Sequence, residues 1–455
     1  LLQRDTTIPA FVVRQKRYGG GVTDHHEELS ETARIARDLI RFDTSNWGNG
    51  VANSETEAAH YVGDYLASIG LTPTYIDSEP GRTSVITRVA GRNPDLPALV
   101  VHGHLDVVPV DPDAWSVDPF AGEIRDGMLW GRGAVDMKDM DAMILTALRE
   151  MHDTGQKPHR DLIVAFFADE ENGGEYGSQH VVTKHPELFA GATEAISEVG
   201  GYSVTIGDQR AYLLQTGEKA LIWATLTAHG TAAHGSRVMP NNAVTKLAEA
   251  VVKLGRAEWP VQMTRTTTAL VAAVAEILGL DPTGDPRDII RATGLASGFL
   301  EPSLSATSNP TQLNAGYKHN VIPDTASAAI DIRPLPGHED EVLGRVRDIV
   351  GPDIEVLIVT QDIGLENAFD APIVDAMAKA LRAQDPGATM LPYLLSGGTD
   401  NKAMALQGIA GYGFAPLRLP ADLDFPSLFH SVDERVPLDA LDFGHRVLTD
   451  FLLDY

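Results

Sequence analysis

Cysteine is missing from all 455 residues, so the chain forms neither a disulfide nor a thiolate metal site. Any transition metal must then be held by His, Asp and Glu, a donor set that suits zinc, manganese or cobalt. No apolar run approaches the ~18–20 residues of a membrane span. Basic charge is scarce as well. The 36 Lys and Arg stand against 63 Asp and Glu, a formal net charge of −27. A nucleic-acid binder would need a basic face, and none is offered. Internal repeats and low-complexity tracts are absent too. Residues 1–21, with Arg4, Arg14, Lys16 and Arg17 ahead of three glycines, lack the apolar centre of a signal peptide, and the chain does not begin with Met. They read as an arm, a processed end or an appended remnant, and a cytoplasmic location is the default expectation.

What is present is a hydrophobic content of 43% and a charged content of 22%, as in soluble globular proteins. A chain of this length exceeds one ordinary core, so two domains are expected. Apolar residues recur at helical spacing over 29–41, 55–69 and 140–151, while 83–89 and 98–101 read as strands. Strands alternating with helices imply an α/β protein with a mostly parallel, helix-covered sheet. The pattern changes near Gly217. Alternation over 220–228, a helix over 241–254, alternation over 325–333, a helix over 339–349 and a strand over 354–360 suggest a small α/β sandwich inserted into the larger domain. Residues 22–217 and 362–455 then form the two parts of one catalytic domain, with 218–361 inserted between them. The stretch 259–310 is less regular and takes no assignment.

The most informative segment is 161–171. It opens as an apolar run, the pattern of a strand buried on both faces. It closes on three carboxylates, Asp169, Glu170 and Glu171, which repel one another unless a cation compensates them. In open α/β sheets, ligands sit beyond the carboxyl ends of strands, so these acids fall where chemistry is expected. Alone, the segment reads equally well as a solvated acidic turn. Other strand ends carry similar donors. His104 and Asp106 are two apart at a strand end, Asp136 follows a Gly-rich turn, Glu198 ends a short strand, and His430 lies in a late loop. Taken singly, Asp136 is a helix N-cap and His430 a surface histidine. Together, His104, Asp136, Glu171, Glu198 and His430 are the inventory of a dinuclear site, one carboxylate bridging and two ligands private to each ion. Such a site needs a base free of the metals, and Glu170 is the candidate.

These motifs resemble the M20 family of metallopeptidases and amidohydrolases, from about residue 29 to the C-terminus. The resemblance rests on His104-x-Asp106-x-Val108-Pro109, Gly131-Arg-Gly-Ala-x-Asp136-Met-Lys138, Asp169-Glu-Glu171 with Gly173-Gly174, Glu198, and His430-x-x-Asp-Glu-Arg435. Asp139 departs from it, since the family commonly has Gly there, and is expected to affect the helix start more than the metals. The resemblance implies a catalytic domain of zinc-peptidase type with an inserted ferredoxin-like dimerisation domain. It implies two divalent ions, usually zinc, with Asp136 bridging, His104 and Glu198 on one ion and Glu171 and His430 on the other. Asp106 would orient His104, and Glu170 would be the general base.

Gly230-Thr-Ala-Ala-His234-Gly-Ser236 resembles the stretch whose His enters the partner subunit's site and stabilises the oxyanion. Asn320-Val-Ile-Pro323 and Asp331-Ile-Arg333 resemble the segments that bind the scissile group and the substrate carboxylate. An Arg fork matches a carboxylate bidentately. Ser396-Gly-Gly398-Thr399-Asp-Asn401 resembles a carboxylate loop, with Gly398 and Thr399 facing substrate, and its form is nearest the aminoacylases. The implied protein is a homodimeric hydrolase of an amide or peptide bond beside a free carboxylate, acting on small molecules. In the family, Glu at the position of Glu198 accompanies acylases and carboxypeptidases, and Asp accompanies aminopeptidases. A dipeptidase or aminopeptidase, or a non-catalytic binding member, are the alternatives. The last predicts loss of a ligand or the base, and none is missing.

Overall fold

The computed structural model describes residues 29–48 and 50–455, so the segment 1–21 lies outside the described residues. The first part of the chain supplies helices α1 (Glu31–Ile40), α2 (Thr56–Ser68) and α3 (Lys138–Thr154). Its main strands are β1 (Thr74–Glu79), β2 (Arg82–Val89), β3 (Ala98–His104), β4 (Leu162–Phe167), β5 (Ala192–Ser197), β6 (Ser203–Ile206) and β7 (Gln209–Glu218). Next come β8 (Leu221–His229), α4 (Ala243–Gly255), α5 (Arg265–Leu278), β9 (Thr307–Ala315), β10 (Thr325–Arg333), α6 (Glu339–Val350) and β11 (Ile354–Asp362). The chain returns through α7 (Pro372–Gln384), β12 (Thr389–Leu395), β13 (Ala410–Gly413) and α8 (Leu438–Asp454).

The large sheet runs β6-β7-β13-β5-β3-β4-β2-β1, with β12 parallel to β7. Its centre, β4-β3-β5-β13, is parallel, and β1 and β2 form an antiparallel margin. β4 is continuously apolar because both of its faces are covered. On β3, Leu99 and Val101 pack into the core that holds α1, α3 and α8, while Ala98 and Val100 pack on the opposite face with Ile163, Phe167 and Val181. That double burial fixes the direction in which β3, β4 and β5 end. Their carboxyl ends lead into His104, the Asp169–Glu171 turn and Glu198.

The inserted sheet is antiparallel, in the order β9-β10-β8-β11, and its β-α-β-β-α-β sequence is the ferredoxin-like arrangement. Strand alternation sends Ile222, Ala224 and Leu226 toward α4 and α6, where they meet Leu247, Leu254, Val342 and Val346. The opposite face carries Trp223 and Arg333 into a cleft against the large domain. One part of 218–361 does not share this core. Helix α5 lies on β12, and Leu270, Val274, Ile290, Leu300 and Leu304 belong to the hydrophobic core of the large sheet. The irregular stretch 259–310 is thus largely a return excursion. Its apolar stripe is as good a match for one core as for the other.

Candidate metal centre and cleft

Asp136 sits at the middle of the site. Its Oδ1 lies 3.1 Å from His104 Nε2 and its Oδ2 lies 3.0 Å from His430 Nε2. His430 Nε2 is also 3.2 Å from Glu171 Oε2, and His104 Nε2 is 3.7 Å from Glu198 Oε2. Glu170 Oε2 stands 3.9 Å from His104 Nε2. Sequence positions from 104 to 430 therefore converge on one place, with one imidazole on each oxygen of a single carboxylate. The ligating atoms of His104, Asp136 and Glu171 lie within 4.8 Å of one another, as do those of His104, Glu170 and Glu198.

The electrostatics call for cations. Burial and the charge of Asp136 push Glu198 up to about 8. Burial also raises Glu171, again with Asp136 adding to it. Burial disfavours an imidazolium at His430, yet its bonds to Asp136 and Glu171 push that ring up to about 11. Asp136 is held below the usual carboxylate range, because hydrogen bonds from His104 and His430 outweigh its burial. Four carboxylates this close are tolerated only with compensating positive charge, and the nitrogen and oxygen donors present suit divalent ions. The residues fit a two-ion centre.

The surroundings of the donors show how they are held. His104 Nδ1 meets the main-chain oxygen of Asp106 at 3.0 Å, whereas the Asp106 carboxylate is 3.6 Å from the ring. Both groups of Asp106 therefore face Nδ1 of His104, on the side of the ring away from Asp136. Two residues along a strand end, the peptide oxygen is the nearer acceptor. The carboxylate also accepts the main-chain N–H groups of Glu170 (3.0 Å) and Glu171 (3.1 Å), so it shapes the acidic turn. Asp169, at φ 63°, is in the left-handed region that non-glycine residues seldom adopt. Its carboxylate accepts from Asn46 and from the Tyr176 N–H, each at 2.9 Å, and that anchors the turn. Glu434 accepts from Arg132 (2.5 Å) and from the Val135 N–H (2.7 Å), tying the segment of His430 to the turn of Asp136. Asp139 is buried in the first turn of α3, where it shares a small cavity with Glu198 and Tyr202, and burial pushes it up to about 8.

A cleft of about 200 Å³ opens beside the centre. Glu170, Glu171 and His430 line one side, Leu221, Trp223, Arg333 and Asp362 another, and Gly397–Lys402 a third. Arg333 thus reaches the cleft, but its fork is closed by its neighbour. Nε and Nη2 donate to Asp331 at 2.7 and 3.0 Å, and Trp223 Nε1 donates to the same carboxylate at 3.2 Å. Thr399 lines the cleft as well, with its donors turned to the protein. Its N–H (3.0 Å) and hydroxyl (2.6 Å) both donate to Glu218, a fully buried carboxylate that attracts every donor in reach. Gly398 does line the cleft. His234 and Asn320 do not. They lie together on an exposed two-strand ladder where His234 pairs with Val321 and the Gly235 N–H donates to Asn320 O at 2.8 Å.

Asn46, Glu218, Trp223 and Lys402 went unnoticed in the sequence, because each is a lone polar or aromatic residue whose partner is distant along the chain.

Comparison with known proteins agrees with this architecture. Residues 100–454 match the model of peptidase family M20/M25/M40. The chain is 27% identical to an N-fatty-acyl-amino acid synthase/hydrolase of Xenopus tropicalis, over 97% of this chain and 89% of that one. It is 26% identical to aminoacylase-1 of Mus musculus, over 87% and 89% of the two chains. In three dimensions it resembles an M20 family metallo-carboxypeptidase from Sulfolobus solfataricus, with a TM-score of 0.72 and 18% identity over 93% and 99% of the chains.

Proposed function

The chain belongs to peptidase family M20/M25/M40, and from that premise we propose that it hydrolyses an amide bond adjacent to a free α-carboxylate, as an N-acyl-amino-acid acylase or a carboxypeptidase. The observation that carries this reading is the placement of His104 and His430 on opposite oxygens of Asp136, at 3.1 and 3.0 Å. His104 and Glu198 would hold one divalent ion and Glu171 and His430 the other, with Asp136 common to both. Zinc is the expected metal, and manganese and cobalt suit the same donors. Two ions so held would supply a water of lowered pKa and polarisation of the scissile carbonyl.

The chain's own residues do the rest. Glu170 lines the cleft, and its side chain makes no hydrogen bond among the described residues. It takes the proton of the attacking water and returns it to the leaving nitrogen. Asp106 sets its position through the Glu170 N–H. Trp223 and Leu221 supply an apolar wall for the part of the substrate that carries no charge. A homodimer through the inserted domain is supported by edge strand β9, which among the described residues pairs with β10 alone and exposes residues 309–315. The aminoacylase and N-fatty-acyl-amino acid hydrolase relatives favour an acylase over a dipeptidase.

A screen of N-acyl amino acids against dipeptides, with and without added zinc, manganese or cobalt, tests the reading. Metal-dependent release of amino acid from the N-acyl substrates is expected. Faster cleavage of dipeptides would move the assignment to a dipeptidase or aminopeptidase. Absence of any metal-dependent amide hydrolysis would contradict it.

A further inference from the structure

One buried cation has no part in the chemistry above. The Lys219 side chain is fully buried, and its ammonium makes neither a hydrogen bond nor an ion pair among the described residues. A buried ammonium without an acceptor is costly, and it is tolerated where another state of the site gives it one. Lys219 stands where the chain passes from the large sheet to the inserted one, between the end of β7 at Glu218 and the start of β8 at Leu221. Its N–H donates to Leu395 O and the Ala220 N–H donates to Pro334 O, each at 2.9 Å.

The second of these bonds carries the β8–β10 register beyond Leu221, since Ile222 lies opposite Ile332 and Trp223 opposite Asp331. Alternation then puts Lys219 on the face of Leu221 and Trp223, which also carries Asp331 and Arg333. The electrostatics agree. Burial and the Arg333 charge push the Lys219 ammonium down to about 7, and Asp331 is the carboxylate that opposes them.

Asp331 is what keeps Arg333 from a ligand, holding Nε and Nη2 at 2.7 and 3.0 Å. Acids already crowd the cleft, with Glu170, Glu171, Asp362 and Asp400 in its lining. A guanidinium that left Asp331 would strand one more carboxylate among them, at a cost that opposes the move. A second cation on the same face removes that cost.

We propose that Lys219 is the positioning residue that frees Arg333: as the guanidinium turns from Asp331 to the substrate's carboxylate, the Lys219 ammonium takes its place on Asp331. The inference rests on the amide-hydrolase reading above and deepens it, by naming the group that lets the closed fork open.

The test compares kcat/KM for an N-acyl amino acid and for its carboxamide, using the metal-loaded full chain. The parent should prefer the carboxylate by about a hundredfold or more. Lys219→Met should cut that preference by about tenfold, through KM for the carboxylate, while the carboxamide changes by less than about twofold. Asp331→Asn no longer holds the fork by charge, so it should keep the preference without help from Lys219. The double variant Lys219→Met/Asp331→Asn should therefore regain the preference to within about threefold of the parent, a coupling that a role in folding does not produce. An unchanged preference in Lys219→Met, or both substrates slowed alike with no recovery in the double variant, would reduce Lys219 to a packing residue and overturn the proposal. Loss of the preference in Asp331→Asn alone would overturn it too, since Arg333 would then need Asp331 in order to bind. A parent that cleaves both amides without preferring the carboxylate sinks the proposal and leaves amide hydrolysis standing. One that cleaves neither takes the underlying reading down with it.

Discussion

Glu170→Gln is expected to keep both ions and to lower kcat by a hundredfold or more, the scale of a lost general base. The substitution changes almost no volume and leaves the Glu170 N–H bonded to Asp106 Oδ1, at 3.0 Å, so the acidic turn should be unaltered. What it removes is the ability to accept a proton. Glu170 Oε2 lies 3.9 Å from His104 Nε2, farther out than the oxygens of Asp136 and Glu198, as suits a group that works beside the ions. A hundredfold loss corresponds to about 2.7 kcal/mol of transition-state stabilisation. Metal content measured alongside activity separates the two possible roles. Two ions with little turnover fit a base. Loss of an ion together with turnover would make Glu170 a ligand instead.

Mixing His234→Ala with Glu170→Ala should restore activity that neither variant has alone. His234 is exposed, hydrogen-bonded to Ser236 Oγ at 2.8 Å, and absent from the lining of its own chain's cleft. The same holds for Asn320, which the ladder places next to it. In the proposed homodimer a residue so placed would serve catalysis from the second copy of the chain. Each homodimer of a single variant then has two defective sites. In a mixed dimer one site combines an intact Glu170 with the partner's intact His234, and the other has neither. At full subunit exchange half of the dimers are mixed, so recovery should approach a quarter of parental activity. Mass spectrometry or a tagged subunit shows whether exchange has occurred. If mixed dimers form and activity does not return, His234 has no role across the dimer.

Which of these features could be read from the sequence depended on where the information lay. Motifs confined to a few residues at strand ends were legible. The runs around His104, Asp136, Glu171, Glu198 and His430 each combine an apolar strand or Gly-rich turn with a donor, and the structure draws all five together. The inserted sheet was legible for the same reason, since its alternation over 325–333 coincides with β10 (Thr325–Arg333). Contacts between distant segments were not. Nothing near Thr399 announces that Glu218 takes its hydroxyl and N–H, and nothing near Arg333 distinguishes an open fork from one closed by Asp331. Helix α5 shows an apolar stripe but not which of two cores will receive it. Asp106 illustrates the finest grain of this limit. The sequence places it beside His104, while the difference between main-chain oxygen at 3.0 Å and carboxylate at 3.6 Å belongs to the strand end's geometry.

The central claim is that His104, Asp136, Glu171, Glu198 and His430 hold two divalent ions on which amide hydrolysis depends. Stripping the protein with a chelator and titrating zinc back, with bound metal and hydrolysis of an N-acyl amino acid followed together, tests it most directly. The account predicts an inactive metal-free enzyme whose activity returns as occupancy rises to two ions per chain, and an Asp136→Ala variant that takes up neither ion tightly. Full activity in the metal-free protein, or full activity at one ion per chain with no second ion bound, would contradict it.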